Sequence, residues 1–203
     1  MAFVGKITPT RGALIKLRDT LKFIQNGLNI LKMKRDRLAA ELNILSNELD
    51  RREAVESQLM EIYGMLREAL TNLGYATVFS EASSISEIKI NVVSVPVVGV
   101  AVPKIRVEEK PKIDAIQNLS LRVIAEKLQS AIEELLGLAQ VEADIERIAH
   151  ELVMLSRKVN ALEKNVVPAY VTQIRYIENL LFDEDLEDFA KVKHLKVVTG
   201  KKS

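Results

Sequence analysis

The sequence predicts an all-α fold, a long antiparallel two-helix coiled coil with a small β-hairpin inserted between its helices. Three observations lead there. Large apolar residues recur in alternating steps of three and four from Leu14 to Leu73, with 15 of the 18 track positions apolar. A second such track runs from Leu138 to Val166. Between them lies a β-branched stretch, broken by Pro96, Gly99 and Pro103, with a different period. A globular helix rarely exceeds about 20 residues, so repeats of this length mark a coiled coil.

The first segment, 1–74, is one long helix. Thr8 is placed to cap it and Pro9 suits its first position. Its track is Leu14, Leu17, Leu21, Ile24, Leu28, Leu31, Arg35, Leu38, Leu42, Leu45 and Leu49, then Arg52 and Glu56, then Leu59, Tyr63, Leu66, Leu70 and Leu73. Gly74 follows as the natural residue past the helix end. At about 1.5 Å per residue, Pro9 to Leu73 would reach roughly 95 Å. A core arginine needs a carboxylate or carbonyl partner, because an unpaired buried charge is costly, so Arg35 sets register or faces a neighbouring protein.

The second segment, 75–112, holds a Ser-rich loop over Ser80–Ser86 and two short antiparallel strands, around Ile88–Val95 and Val97–Val107. The turn falls near Pro96–Gly99, with both prolines at edges or bends. The third segment, 113–190, is the second long helix, opened by Asp114 with Gln117 placed for a capping box. Ile116, Leu119, Val123, Leu128, Ile132 and Leu135 form its first apolar face. The hop from Leu135 to Leu138 is a stammer, a locally overwound step. The second track then runs Leu138, Val141, Ile145, Ile148, Leu152, Leu155, Val159, Leu162 and Val166. Asn160 lies beside its core positions, where a surface role is the default and a register role the alternative. Pro168 kinks or ends the helix, Tyr170, Ile174, Ile177 and Leu181 resume the face, and the acidic cluster Asp183–Asp188 closes it. A basic, flexible tail, 191–203, completes the chain, and an antiparallel pairing brings both ends of the chain together.

Composition agrees. Aromatics are 4% of the chain and Trp is absent, which argues against a large globular core, while 28% charged residues suit long helices. The net charge of +1 says nothing about a polyanionic partner, but its distribution is uneven. Residues 1–37 carry nine Lys/Arg against Asp19 and Asp36, and 41–68 carry seven Asp/Glu against three Arg. With no cysteine, disulfides and thiolate chemistry are excluded. No apolar run is long enough for a signal peptide or a membrane span.

Catalytic, cofactor and metal sites are not expected. His150 and His194 are the only histidines and are far apart, and neither has a second ligand four residues on. Gly200-Lys201 lacks the context of a phosphate loop. The Asp183–Asp188 cluster reads as a solvated helix end before it reads as a cation site. The Lys32–Arg37 cluster lacks the interleaved aromatics of a nucleic-acid surface.

Two runs carry a family resemblance. Pro9-Thr10-Arg11, Leu14, Leu17, Leu21, Gly27, Leu31-Lys32, Lys34-Arg35-Asp36 and Leu38 resemble the start of the D subunit of V-type and archaeal A-type ATPases. Arg157-Lys158-Val159-Asn160-Ala161-Leu162-Glu163, Val167-Pro168, Ile174, Tyr176-Ile177-Glu178 and Leu181 resemble that family's C-terminal helix. They cover about 30 and 25 residues, in the right order around a matching helix–hairpin–helix. Gly12-Ala13 stands where polar residues are usual, and Gln25-Asn26-Gly27 lacks a common basic residue. The chain length favours an archaeal or bacterial complex.

The resemblance implies the central rotor shaft, or central stalk, of a rotary ATP synthase, without cofactor or nucleotide of its own. Its implied partners are the catalytic A and non-catalytic B subunits, the F subunit of the stalk, and a funnel-shaped subunit joined to the membrane ring. The implied place is the cytoplasmic face of the cell membrane, peripherally bound. Subunit-interface candidates are Arg11, Lys16, Arg18, Lys32, Lys34, Arg35, Asp36, Arg157, Asn160, Glu163, Tyr176 and Glu178. The competing readings are a prefoldin-like chaperone subunit, which would carry apolar rather than charged helix tips, a passive coiled-coil scaffold, and a nucleic-acid-binding arm.

Overall fold

The computed structural model describes residues 8–200, with side chains through Lys196. Its elements are α1 (Arg11–Glu48), a 3₁₀ turn (Leu49–Arg51), α2 (Arg52–Leu73), α3 (Tyr75–Ala82), β1 (Lys89–Val97), β2 (Val100–Glu109), α4 (Leu119–Ala161), a π-helical turn (Leu162–Val166) and α5 (Val167–Gly200). This is the expected architecture of two long helical runs flanking an antiparallel hairpin. The chain divides into two compact units, Met1–Arg35 with Met154–Ser203, and Asp36–Val153.

In the first unit, α1 begins at Arg11 rather than Pro9. Thr10 is the cap instead of Thr8, its Oγ1 accepting from the Ala13 N–H at 3.1 Å. Its hydroxyl lies three residues before a free amide, the spacing a cap requires. Leu17, Ile174 and Ile177 are buried, with Leu14, Leu21, Tyr170 and Leu181 packed around them. Leu28, Leu155 and Val159 are buried as well. These are positions of the two sequence tracks and of the face resumed after Pro168, and burying each large aliphatic side chain contributes about 1.5–3 kcal/mol. Pro168 neither ends nor breaks the run. The π turn immediately before it widens the backbone repeat, accommodating the ring and the missing N–H, and α5 continues. The acidic cluster does not stop α5 either, which extends to Gly200. Lys201 and Lys202 of the expected tail lie outside the described residues.

In the second unit, the 3₁₀ turn changes which residues face the seam. Tyr63 and Leu70, expected in the core, are 62% and 36% exposed, whereas Val55, Ile62 and Ala69 are buried. A 3₁₀ turn has three residues per turn instead of 3.6, so it brings Val55, Ile62 and Ala69, the earlier neighbours of Glu56, Tyr63 and Leu70, inward, while Leu59 and Leu73 still pack against the core. On α4 the seam is likewise displaced. Leu119, Val123 and Leu135 are 75%, 40% and 43% exposed, and Leu121, Ile124 and Ala131 are buried. The stammer at Leu135–Leu138 and the residues around the 3₁₀ turn line one groove, of about 640 Å³, which includes Ala54, Val55, Gly137 and Leu138. Two phase changes therefore face each other across the pair.

Gly74 ends α2 as expected, with φ 78° and ψ 154°, its N–H donating to Leu70 O. The following residues form α3, so Ser80 is helical and the expected loop is confined to 83–88. Asp114 does not open α4. Asn118 caps it, its Oδ1 accepting from Ser120 and Leu121 at 3.0 and 3.4 Å. Gln117 forms no capping box, and its N–H donates to Glu81 Oε2 at 2.9 Å instead.

The hairpin turn is narrower than expected. Val98 and Gly99, both at positive φ (49° and 74°), are its two loop residues, and Pro96 lies inside β1. Two residues of positive φ match the right-handed strand twist. Val97 pairs with Val100, Val95 with Val102 and Val93 with Lys104, while Pro96 opposes Ala101 and Pro103 opposes Ser94. In a two-residue hairpin the closing pair exchanges backbone bonds and alternate pairs do so thereafter. Both prolines consequently occupy pairs that exchange none, so neither removes a ladder bond.

Candidate functional site

Among the described residues there is no group of three or more His, Asp or Glu that could hold a metal ion. His150 and His194 are exposed, and no described helix is long and apolar enough to cross a membrane. The functional features are surfaces and the ties that shape them.

In the first unit, ion pairs join α1 to the chain's last helical run. Arg11 meets Asp185 at 2.6 Å, Arg18 meets Glu178 at 2.6 Å, and Lys32 meets Glu163 at 2.7 Å. Partner numbers fall as α1 numbers rise, which is antiparallel pairing. Five of the sequence candidates, Arg11, Arg18, Lys32, Glu163 and Glu178, thus hold the seam's flanks. The Lys32 ammonium, through its hydrogen bond and its charge, keeps the Glu163 carboxyl below its usual range, with smaller help from Arg35 and Lys164. Arg35 is half-buried, and its charge reaches the Glu163 carboxyl. Lys34 and Arg35 are each engaged in an interaction, as is Asp36, the first residue of the second unit. Lys16, Arg157, Asn160 and Tyr176 stay exposed. Asn160 follows its default, the surface, and Tyr176 is 63% exposed beside the buried Ile177. The far part of α5 also exposes Phe182, Leu186 and Phe189, at 63%, 52% and 71%. These apolar side chains stand among the charged residues of that helix and lie off the face that meets α1.

In the second unit, α4 carries the hairpin by polar ties to one strand and its continuation. Gln140 Oε1 accepts from the Ile105 N–H at 3.1 Å. Lys110, just past β2, pairs with Glu133 at 2.7 Å, and the Lys104 charge acts on Asp144. Sequence reading found none of these contacts, since neither Gln140 nor Asp144 departs from an ordinary helix pattern. Lys127–Glu61 at 2.7 Å and Arg52–Glu142 at 3.3 Å tie α4 to α2. The lysine partners hold the carboxyls of Glu61 and Glu133 below their usual range.

Asp144 behaves oppositely. Its Oδ1 is shielded from solvent with no hydrogen-bond partner, and desolvation pushes its carboxyl up, with Lys104 only partly offsetting this. A carboxyl raised on folding opposes folding once it ionises, and the penalty fades as pH falls through its folded value. Asp144→Asn should therefore raise the melting temperature at neutral pH by about 2 °C, with the gain shrinking on acidification. Thermal melts of both proteins across that pH range measure it. No gain at neutral pH would mean that the carboxylate carries no penalty.

The family model for the D subunit of ATP synthase matches residues 13–197. The chain belongs to the D-subunit family. It is 33% identical to the D subunit of the A-type ATP synthase of Methanobrevibacter smithii, over 98% of this chain and 90% of that relative. It is 32% identical to the A-type D subunit of Pyrococcus furiosus, over 98% and 97% of the two chains. The D subunit of the V-type ATP synthase of Thermotoga neapolitana is 32% identical, over 94% and 97%. The matched range takes in nearly all of both motif runs and covers the whole of the second unit, Asp36–Val153.

Proposed function

We propose that the chain is the central rotor shaft of an A/V-type ATP synthase. It transmits torque between the ion-translocating membrane ring and the catalytic hexamer, in synthesis or hydrolysis of ATP. Membership of the D-subunit family over residues 13–197 carries this reading. The physical form supports it. A shaft must resist twisting, and two helices zipped by Leu17, Ile174 and Ile177, with ion pairs beside the seam, resist it better than one. The paired terminal helices would enter the hexamer of A and B subunits. The opposite part would bind the F subunit and the funnel-shaped subunit of the ring, at the cytoplasmic face of the membrane. Nucleotide chemistry belongs to the A subunits.

The charged surface refines which residues would meet the hexamer. Arg18 and Lys32 already hold partners across the seam, so reversing their charge would also weaken the shaft itself. Lys16 is exposed and makes no side-chain bond among the described residues, which makes it the clean probe. The absence of native cysteine simplifies the test. In a complex assembled with Lys16→Cys and a cysteine on the inner wall of an A subunit, oxidation should stop ATP turnover and reduction should restore it. Undiminished turnover with the cross-link complete would sink the rotor reading.

A further inference from the structure

The outer edge of β1 is an unfilled sheet edge. The pairs Ile90–Val107, Val92–Ile105 and Ser94–Pro103 alternate with the bonded pairs that follow from the Val97–Val100 closure. The backbone groups of Ile90, Val92 and Ser94 therefore point away from β2. The Ile105 N–H, donating outward to Gln140, has the same phase on the other strand. At Ile105 that β2 edge is met by α4, whereas among the described residues no hydrogen bond reaches the edge of β1. Its side chains are exposed from Lys89 to Ser94.

The face belonging to this edge is apolar. Ile90, Val92 and Val107 are 46%, 57% and 37% exposed, beside half-buried Ile105. Val102, on the opposite face, is 3% exposed. Sheets usually blunt such an edge with charge or proline. Here Pro96 does so at the turn end and Lys89, beside a register shift, at the other, leaving the donors of Ile90, Val92 and Ser94 open.

We infer that β1 receives an extended segment of a neighbouring protein in the complex as a third strand, so that backbone pairing and the Ile90–Val92 face are completed together. The occupant carries apolar residues at alternate positions to continue that face. Charge supplies its second feature. Exposed Arg106, opposite Asn91, has no acidic partner among the described residues, whereas neighbouring Lys89 is matched by Glu109. A carboxylate on the occupant's other face would complement Arg106. The unit bearing the hairpin, Asp36–Val153, is described throughout, so no undescribed piece of it remains to fill the edge.

This inference rests on the proposed assembly, and one experiment separates the two. Amide hydrogen exchange is measured on the isolated full chain and on the purified complex that contains it. Failure to recover the chain with A and B subunits would reject the assembly. With the complex in hand, the amides of Ile90, Val92 and Ser94 should exchange about tenfold or more slowly than in the isolated chain. Unchanged exchange would overturn the third strand. Slow exchange already present in an isolated dimer would overturn it too, assigning the edge to a second copy. Val92→Pro removes an outward N–H but no β1–β2 bond, so it should abolish the protection at Ile90 and Ser94, whereas Val92→Thr should keep it. Protection surviving Val92→Pro would show that side chains alone make the contact.

Discussion

Ile177→Ala will lower the stability of the chain by about 3 kcal/mol, a fall of roughly 9 °C in melting temperature for a protein of this size. Ile177 is 1% exposed in a buried group with Leu17 and Ile174. A two-helix seam has no second layer to close over a lost side chain, so most of the cavity cost remains. The neighbouring Tyr176 is 63% exposed, and Tyr176→Ala should change stability by no more than about 0.5 kcal/mol. Denaturant titrations followed by far-ultraviolet circular dichroism compare the two. Equal losses would mean that the seam does not run through Ile177.

Gly74→Val will cost about 3 kcal/mol, through backbone conformation alone. Gly74 sits at φ 78° and ψ 154°, between the end of α2 and the start of α3, a region essentially restricted to glycine. A Cβ there would meet nothing within 4 Å, so crowding adds nothing. Gly27 is the counter-case. It is helical, with equally open space around it, and Gly27→Ala should stabilise by up to about 1 kcal/mol through helix propensity. If both substitutions shift the melting temperature alike, the conformational account of Gly74 fails.

The sequence made the seam legible where heptad spacing was unbroken. From Leu14 to Leu38, and from Leu138 to Val166, the expected track residues are those turned inward. It misled beyond Leu49 because Leu49-Asp50-Arg51 contains neither Gly nor Pro to announce a tighter turn. It misplaced the start of α4 for a different reason. Asp114 and Gln117 satisfy a capping pattern as well as Asn118 does, and the Gln117 amide is diverted by Glu81, 36 residues away in the chain. The ion pairs beside the seam were legible only as members of motifs. Arg18 and Glu178 are separated by 160 residues, and no local pattern joins them.

The placement of the two hairpin prolines has a consequence for how the strands find each other. If the pairing slipped by one residue so that Val97 met Ala101, Pro103 would fall on a bonded pair, opposite Val95. A slip the other way, with Pro96 meeting Val100, would put Pro96 itself on the closing bonded pair. Each slip would forfeit a ladder bond and turn one strand's side chains to the wrong face. Between them, Pro96 and Pro103 disqualify both neighbouring alignments while costing the native one nothing, so a valine-rich hairpin prone to sliding is left with a single register.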